Sequence, residues 1–489
     1  MSSADREHSV IDALPTGLFI NGQWRPASGG GTFDVEDPST GKALCAVADA
    51  TPEDGMAALD AAVAAQAEWA RYPARERGEI LRRAYELMMA RQEDLALLMT
   101  LEMGKALPEA RGEIAYAAEF FRWFAEEGMR IGGDFATAPS GAGRFMVMRQ
   151  PVGPTLLITP WNFPAAMGTR KIGPAVAAGC TMVMKPAGLT PLSMLALTDI
   201  LRECGLPNGV LNVVPTSRSG RLMEPLIRDG RARKLSFTGS TEVGRVLLEQ
   251  CAEHIMRTSM ELGGNAPFLV FPDADIDAAL EGAMTAKMRN IGEACTAANR
   301  FYVHADLAEE FAQRLAERMG SLRIGRGTEE GMQVGPLIDA RAREKVQRLV
   351  DDAVARGARV LVGGRPVGGP GYFYRPTVLV DVPPDAEMAH TEIFGPVAPI
   401  YSFTDENEAI ARSNDTPYGL VSYAYTGDLR RALRICERLE AGMIGLNQGM
   451  VSNPAAPFGG VKHSGLGREG GKVGIEEFLE IKYVAVPTG

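Results

Sequence analysis

The sequence contains few cysteines, few histidines and no long apolar run. Its 489 residues include six cysteines and five histidines. No two cysteines form a C-x-x-C pair and the histidines do not cluster, so a disulfide scaffold, a zinc ribbon and other metal sites are disfavoured. His390 and Glu392 are close in sequence, but a metal centre would need a third ligand that the pattern does not offer.

The sequence also lacks the segments that target a chain to a membrane. Its longest apolar stretch, 172–184, is interrupted by glycine, proline and threonine and is shorter than the roughly 18 residues of a span. Residues 1–10 are polar and contain no signal-peptide core. The net charge of −10 argues against nucleic acid or an anionic membrane as a partner. We therefore expect a cytoplasmic protein without either partner.

What is present is an ordinary globular composition, with 46% hydrophobic and 23% charged residues. Helical apolar spacing predicts helices over 53–71, 75–103 and 107–130. From residue 151 short apolar runs alternate with amphipathic segments, which predicts βαβ units and a parallel sheet. The strands predicted there are 155–158, 182–184, 210–214 and 234–237.

A second α/β unit is predicted after residue 262. The helices expected in it are 275–290, 305–319, 340–356 and 428–440, and the strands are 268–271, 299–303, 376–380, 397–403 and 443–446. Segments 144–150 and 481–486 alternate polar and apolar residues, as an edge strand does. We expect these two strands to form an arm that pairs with another subunit.

Two glycine-rich segments compete as the phosphate-binding turn of a dinucleotide site. The literal G-x-G-x-x-G, 465–470, is followed by only 19 residues, too few for a βαβ unit, and is assigned to a turn closing the second domain. Segment 233–244 predicts a strand, a tight turn and a helix, with Gly239, Ser240 and Gly244 around the turn. Its N–H groups and helix dipole suit an anion, although a simple capped turn has the same pattern.

The end of the second predicted strand bears on the choice of cofactor. Lys185 is placed to contact ribose hydroxyls or a 2′-phosphate beyond the carboxyl end of that strand. NAD sites favour a carboxylate nearby, and Gly188 stands there instead. The pattern therefore favours NADP and leaves NAD open.

Three residues are candidates for the chemistry. Cys295 lies in a loop of small residues, where a thiol is accessible to substrate in a way that a core cysteine is not. Glu261 precedes a Gly-Gly turn and is either a solvent-facing residue or a partly desolvated base. Asn162 lies in a loop stiffened by two prolines, where its amide is a plausible oxyanion donor.

Taken together, the motifs resemble the aldehyde dehydrogenase superfamily over essentially the whole chain. The matching segments are 160–164, 185–186, 237–241, 261–264, 292–295, 392–396 and 457–460. Within that superfamily, segments 160–167, 169–171, 260–268 and 464–470 most resemble succinate-semialdehyde dehydrogenases. The resemblance implies an α/β fold with a Rossmann-like cofactor domain (1–130 and 148–261), a catalytic domain (262–467) and a small β oligomerisation arm (131–147 and 468–489). By the same resemblance the protein is a homodimer or a homotetramer.

The resemblance also implies a role for individual residues. Cys295 matches the nucleophile, Glu261 the general base, and Asn162 the oxyanion amide, which acts with the backbone N–H of Cys295. The cofactor-binding positions are Trp161, Lys185, Gly188, Gly239, Ser240, Gly244, Leu262, Glu392 and Phe394. Arg170, Arg289 and Ser452 match the residues that hold the distal carboxylate of the substrate, and Arg binds carboxylates bidentately. Because the chain has 41 Arg and 10 Lys, an Arg at any one position carries little weight alone.

Three positions depart from the family pattern. Ala297 replaces a second Cys found in some members, so a disulfide switch in this loop is not expected. Glu293 and Ala294 replace the commoner Gln-Thr before the nucleophile, which bears on the choice of substrate. Gly188 replaces the usual Glu or Ser, which bears on the cofactor.

The sequence thus predicts NAD(P)-dependent oxidation of succinate semialdehyde to succinate through a thiohemiacetal and a thioester on Cys295, without a metal. Glutarate semialdehyde, one carbon longer, is the alternative substrate, and a less acidic aldehyde follows if Arg289 points elsewhere. A cysteine hydrolase and a non-catalytic dinucleotide-binding protein are alternatives of other classes. The dinucleotide turn argues against the first, and the presence of both Cys295 and Glu261 argues against the second.

Overall fold

Two mostly parallel sheets dominate the computed structural model, which describes residues 3–487. The strands of the first sheet, in spatial order, are Gly465–Leu466, Arg257–Glu261, Lys234–Thr238, Thr155–Ile158, Met182–Lys185, Leu211–Val213, Leu18–Ile20 and Gln23–Arg25. Those of the second are Arg359–Val362, Thr377–Val380, Val397–Phe403, Ala298–His304, Ala266–Val270, Val421–Tyr425 and Met443–Leu446. The predicted α/β class is confirmed.

Helices cover the faces of both sheets. They are Ser3–Asp12, Pro52–Trp69, Ala74–Ala90, Gln92–Met103, Leu107–Glu127, Ala166–Ala178, Leu192–Glu203, Ser219–Arg228, Thr241–Ala252, Ile276–Met288, Ala305–Gly320, Ala340–Ala355, Glu387–His390, Glu406–Asn414 and Leu429–Arg438. No helix within residues 3–487 is both long enough and apolar enough to cross a bilayer.

Most predicted elements are present, with two notable differences. The single helix predicted over 75–103 is wrong, because Arg91 leaves the helical conformation (φ −104°, ψ 17°) and starts a new helix. Residues 95–103 of that new helix are all buried, so the change of direction brings its whole surface into the core. Strand Val421–Tyr425 was not predicted, because its five buried residues, VSYAY, do not form the continuous apolar run that indicates a buried strand.

The order of the parallel strands explains where a ligand binds. In the parallel part of the first sheet the chain starts at Thr155–Ile158, adds two strands on one side, and then returns to add Lys234–Thr238 on the other side. Such a reversal opens a crevice at the carboxyl ends of the two central strands. The loops that begin at Thr159 and Gly239 therefore face each other across this crevice.

The two sheets meet at the same place. Arg257–Glu261 is the last parallel strand of the first sheet along the chain, and after a short turn Ala266–Val270 is the first strand of the second sheet. The carboxyl ends of the first sheet consequently face the amino ends of the second. The loop that carries Cys295 immediately precedes strand Ala298–His304 and so reaches this junction.

A third, small sheet stands apart from the two large ones. Strand Arg144–Pro151 pairs antiparallel with both Leu479–Val486 and Asp134–Thr137. Gly465–Leu466, at the start of the G-x-G-x-x-G segment, pairs antiparallel with Met260–Glu261 and forms an edge of the first sheet.

Candidate active site

A cavity of about 240 Å³ lies at the junction of the two sheets. Its walls are formed by Pro160, Trp161, Asn162, Met167, Thr238, Gly239, Ser240, Glu261, Leu262, Gly263, Cys295, Lys345, Glu392 and Phe394. The three residues predicted to carry the chemistry therefore share one cavity with most of the residues predicted to bind the cofactor. A larger groove of about 650 Å³ lies against helix Ala305–Gly320 and contains no cysteine among its lining residues.

The thiol of Cys295 is half-buried in this cavity. Burial raises its pKa to about 12; Arg170 opposes this shift, and the carboxylates of Glu392 and Glu261 add to it. A thiol with that pKa is protonated at neutral pH, and the thiolate is the nucleophilic form. A nearby base must therefore accept its proton before it attacks a carbonyl.

Glu261 is a candidate for that base and is buried at the end of its strand. Among residues 3–487 neither carboxylate oxygen has a hydrogen-bond partner. Burial raises the pKa of Glu261 well above its usual value, and the negative charge of Glu469 raises it further. A buried carboxyl group without a partner is costly to the fold, which is typical of a group kept for function.

A close glycine leaves room for the Glu261 carboxyl group. A Cβ on Gly459 would come within 2.8 Å of Oε1 of Glu261. Gly459 also has a φ of +153°, which favours glycine. This part of the predicted motif 457–460 therefore shapes the wall beside the candidate base.

Asn162 reaches the cavity from the loop after strand Thr155–Ile158. Its Nδ2 donates to the carbonyl oxygen of Glu293 at 3.0 Å, and one of the two Nδ2 hydrogens is left over. The Oδ1 atom is buried without a partner in the described part of the chain. The spare N–H is thus available to an oxyanion formed near Cys295.

The turn predicted to bind phosphate packs closely against neighbouring side chains. Ser240 caps helix Thr241–Ala252, with its side chain accepting from the backbone N–H of Val243 at 3.4 Å. A Cβ on Gly239 would meet the ring of Phe237 at 2.4 Å, and one on Gly244 would meet Leu262 at 2.6 Å. These glycines let the positive end of the helix dipole approach the crevice, which suits a pyrophosphate.

Lys185 lies buried at the carboxyl end of the neighbouring strand. Its Nζ donates to the hydroxyl of Ser219 at 2.9 Å, and burial lowers its pKa to about 8. Gly188 follows in the next loop, where a Cβ would come within 3.0 Å of the carbonyl oxygen of Thr216. The place carries the cation of Lys185 and the hydroxyl of Ser219, a donor set that suits an adenosine ribose or its 2′-phosphate.

Glu392 and Phe394 close the other end of the crevice. Oε1 of Glu392 accepts from the backbone N–H of Gly264 at 3.0 Å, and burial raises its pKa to about 7. The ring of Phe394 meets Trp161 edge-on with centroids 5.4 Å apart. Phe394 holds a φ of +54°, a strained backbone of the kind found at binding sites. Together these groups fit the nicotinamide half of a dinucleotide.

The structure treats the two predicted carboxylate-binding arginines differently. Arg289 donates from Nη1 to the hydroxyl of Ser452 at 2.9 Å and packs over the rings of Phe163 and Tyr116 at 4.8 and 5.8 Å. No described residue forms an ion pair with Arg289. Its charge is therefore available to an anionic ligand.

Arg170, in contrast, already has a counter-ion. It is fully buried, forms an ion pair with Glu469 and stacks over the ring of Phe458 at 4.1 Å. Its electrostatic effect still reaches Cys295 and Glu261. Arg170 therefore contributes positive potential to the cavity even though its charge is balanced.

Several buried polar residues around the cavity were not predicted. Lys105 binds the carboxylate of Glu113 and donates to the backbone carbonyl of Asn162 at 2.9 Å. Asn290 donates to the carbonyls of Asn162 and Glu293, both at 3.0 Å. Neither residue carries a local sequence signal, because the loop that both of them hold lies 57 and 128 residues away in sequence.

Comparisons with known proteins agree with this geometry. The sequence profile described as "Aldehyde dehydrogenase family" matches residues 24–484. Over 443 residues the chain is 58% identical to a succinate-semialdehyde dehydrogenase of Paenarthrobacter nicotinovorans, covering 91% of this chain and 98% of the relative. Over 468 residues it is 53% identical to a glutarate-semialdehyde dehydrogenase of Pseudomonas putida, covering 96% and 97%.

A solved structure has the same fold. The crystal structure of an NADP-dependent enzyme from E. coli has a TM-score of 0.96 with this chain at 51% identity, covering 98% of this chain and 99% of that one. The chain therefore belongs to the aldehyde dehydrogenase family, and the predicted class, an NAD(P)-dependent aldehyde oxidoreductase, is confirmed.

Proposed function

We propose that this protein oxidises succinate semialdehyde to succinate, with NADP preferred over NAD. The observation that carries the proposal is Arg289, a half-buried guanidinium without an ion pair among the described residues, held by Ser452. A carboxylate at the far end of a short aldehyde matches this pair, since guanidinium binds carboxylate through two parallel hydrogen bonds. The relative from Paenarthrobacter nicotinovorans supports the same substrate.

Glutarate semialdehyde is the second candidate substrate. It carries the same two functional groups with one more methylene, and the relative from Pseudomonas putida is named for it. A single methylene changes binding by only about 1–3 kcal/mol. We therefore expect activity on both compounds, with the ratio of the two kcat/KM values deciding which one the cavity prefers.

The first chemical step that we propose is addition of the Cys295 thiolate to the aldehyde carbon. Glu261, in its ionised form, accepts the thiol proton, directly or through water. The new oxyanion receives hydrogen bonds from the spare Nδ2–H of Asn162 and the backbone N–H of Cys295. The product of this step is a thiohemiacetal on Cys295.

The second stage converts the thiohemiacetal into an acid. A bound nicotinamide supplies the oxidising power by accepting a hydride. Cys295 then holds the acyl group as a thioester, and Glu261 takes a proton from the water that attacks it. Hydrolysis releases the carboxylic acid and regenerates the Cys295 thiol for another turnover.

Each remaining predicted residue acts on one of two ligands. The dinucleotide is bound by Trp161, Lys185, Gly188, Gly239, Ser240, Gly244, Leu262, Glu392 and Phe394. The carboxylate of the substrate is recognised by Arg289, Ser452 and Arg170. The contact of Arg289 with Ser452 supports a direct role for those two residues. The ion pair of Arg170 with Glu469 supports an indirect, electrostatic role for Arg170.

The decisive experiment compares a charged with an uncharged aldehyde. We expect Arg289→Ala to lower kcat/KM for succinate semialdehyde about ten- to a hundredfold, because one charge-assisted contact is lost. The value for butanal should change less than about threefold. Arg430→Ala, at an exposed helix position outside the cavity lining, is the matched control. An equal loss of kcat/KM for both aldehydes would mean that Arg289 has a structural role. The group at the far end of the substrate would then be undefined.

Alternatives of other classes make different predictions for the same samples. A cysteine hydrolase would turn over a thioester without any dinucleotide, whereas the proposed enzyme reduces one dinucleotide for each aldehyde consumed. A non-catalytic binding protein would keep its dinucleotide affinity and show no turnover. Absorbance at 340 nm, followed with and without aldehyde, separates these outcomes.

We also propose that residues 1–130 and 148–261 form the dinucleotide-binding domain, 262–467 the catalytic domain, and 131–147 with 468–489 an oligomerisation arm; residues 1, 2, 488 and 489 of these ranges lie outside the described residues. The small sheet exposes Phe135, Ile481 and Tyr483 at 64%, 65% and 67%, which favours a homodimer or a homotetramer. Light scattering on the double variant Ile481→Asp and Tyr483→Asp should then report a smaller particle. A cytoplasmic location stays a prediction from composition.

A further inference from the structure

Asn290 occupies a backbone conformation that its surroundings must maintain. Asn290, Ile291 and Gly292 have φ values of +54°, +62° and +78° in succession, just after helix Ile276–Met288 ends. Asparagine tolerates the left-handed region, but a β-branched isoleucine rarely adopts it. Asn290 itself is 1% exposed. This turn leads directly to Cys295, so its shape sets the position of the nucleophile.

One carboxyl group fixes the backbone of the turn. Oε1 of Glu109 accepts the backbone N–H of Asn290 at 2.8 Å. Oε2 of Glu109 is buried with no partner in the described chain, and burial raises the pKa of this group. A protonated carboxyl serves this purpose as well as an ionised one, since only an acceptor oxygen is needed for the N–H.

The side chain of Asn290 joins two separate loops. Its Nδ2 donates to the carbonyl oxygens of Asn162 and Glu293, at 3.0 Å in each case. The first carbonyl belongs to the loop after strand Thr155–Ile158, and the second to the loop that carries Cys295. A single amide therefore holds the oxyanion loop and the nucleophile loop at a constant separation.

The position of the Glu293 carbonyl matters because it also orients Asn162. Nδ2 of Asn162 donates to that same oxygen, whereas Oδ1 of Asn162 has no partner within residues 3–487. Within the described chain, this carbonyl is thus the only hydrogen-bonding partner that fixes which way the Asn162 side-chain amide is oriented. If it moved, the spare N–H would no longer point at the oxyanion.

We propose that Asn290 is a positioning residue for the oxyanion amide of Asn162, and that Glu109 supports it by holding its backbone N–H. Asn290 acts through Asn162 and does not itself touch the substrate. The inference rests on the proposed chemistry of Asn162 and Cys295 but not on the identity of the aldehyde. It therefore extends to any reaction in which Cys295 attacks a carbonyl in this cavity.

The test is a double-mutant cycle. Asn290→Gly removes the amide while keeping a residue that accepts a positive φ. We expect kcat to fall about ten- to a hundredfold with KM changed less than about twofold, since a small displacement of an oxyanion donor acts on the transition state. In an Asn162→Ala background the same change should cost less than about threefold, because the donor it positions is already gone.

The probe for the cycle is p-nitrophenyl acetate in addition to the aldehyde. This ester needs the same nucleophile and oxyanion donor but neither dinucleotide nor a carboxylate tail. A failure of the substrate proposal therefore does not affect the result. The rate of Cys295 alkylation by iodoacetamide should stay within about twofold of wild type, because alkylation forms no oxyanion.

Two further sets of variants serve as controls. Asn447 also has a positive φ, +50°, and bonds a backbone N–H and a carbonyl of Thr426, but it lies outside the cavity lining. Asn447→Gly should therefore leave kcat unchanged. If Asn290→Gly does not fold, Glu109→Ala should lower kcat in its place, and Glu109→Gln should restore most of it. Equal losses from Asn290→Gly in both backgrounds, or a parallel loss of alkylation, would overturn the proposal.

Discussion

The carboxylate of Glu469 is ion-paired with the guanidinium of Arg170, and both side chains are buried beside the candidate active site. Lys171 pairs with the same carboxylate. Burial alone would raise the pKa of Glu469, but these two cations outweigh burial and hold it below its usual value. A permanent negative charge is thus kept near Glu261, and after burial it is the main cause of the raised pKa of that residue.

Neutralising Glu469 should change the pH dependence of the enzyme. In Glu469→Gln the charge that raises the pKa of Glu261 is gone, while Arg170 and Lys171 still lower it. Glu261 then ionises at lower pH, so the acid limb of the kcat profile should move to lower pH. A profile measured between about pH 5 and 9 checks this. No movement, or movement to higher pH, would contradict it.

The same substitution should also affect stability. Removing one partner of a buried ion pair typically costs about 3–5 kcal/mol, because the remaining charges lose their compensation. We expect the midpoint of urea unfolding to fall accordingly. Glu86→Gln, which removes a carboxylate from a surface pair with Arg82, is the control and should cost less than about 1 kcal/mol.

Glu261→Gln should slow both acylation and deacylation. The amide has the size of the carboxyl group but takes no proton from the Cys295 thiol or from water, so both steps lose their base. We expect turnover at least about a hundredfold slower than wild type and no burst of reduced dinucleotide. Rapid-mixing absorbance measures the burst and the steady state. A burst of about one reduced dinucleotide per active site would mean that the thiol loses its proton without Glu261 and that this residue acts only on the thioester.

The pKa of about 12 predicts how the free enzyme reacts with alkylating reagents. Below that pKa the thiolate fraction of Cys295 rises about tenfold for each pH unit. Alkylation of the ligand-free enzyme by iodoacetamide should therefore accelerate steadily between about pH 7 and 10. The measurement is best made in a Cys436→Ser background, because that thiol is exposed, with Cys295→Ser as the blank. A plateau near neutral pH would place the pKa far lower.

Cofactor choice should respond to residue 188. Gly188→Glu places a carboxylate beside Lys185, where it repels a 2′-phosphate and accepts from a 2′-hydroxyl. We expect the Kd for NADP to rise at least about tenfold and that for NAD to change less than about threefold. Quenching of tryptophan fluorescence measures both in the absence of aldehyde.

Gly188→Ser is the matched control for that prediction. It introduces the Cβ that would approach the carbonyl of Thr216 within 3.0 Å, but no charge. A similar loss for NADP and NAD in both variants would show that crowding, and not charge, governs the position.

Lysine usage shows how far sequence reasoning can reach into the site. The chain has 10 lysines against 41 arginines, and half of those lysines are buried. The buried lysines are Lys105, Lys171, Lys185, Lys234 and Lys287. The motif identified Lys185 alone, because it ends a strand whose position the apolar pattern predicts. Lys105 and Lys171 act through partners that are distant in sequence, and no local pattern marks them.

The sequence by itself determined the local elements and the identity of the chemical groups. Apolar periodicity, prolines and glycines act within a few residues, which is why strand Thr155–Ile158 and the loop bearing Asn162 were predicted correctly from their letters. The cysteine, the glutamate and the amide were recognisable as residue types in Gly- and Pro-rich turns. Their gathering into one cavity followed from strand order, which the alternation of elements predicts in outline.

Only the tertiary structure decided which charges are balanced and which are available. Arg170 and Arg289 are alike in sequence, yet one is buried against Glu469 and the other contacts Ser452 without an ion pair in the described chain. Burial and pairing depend on residues that are far apart in sequence and are brought together by packing. A side chain's pKa, its partners and its availability to a ligand are set by that packing, because desolvation and charge act through space and not along the chain.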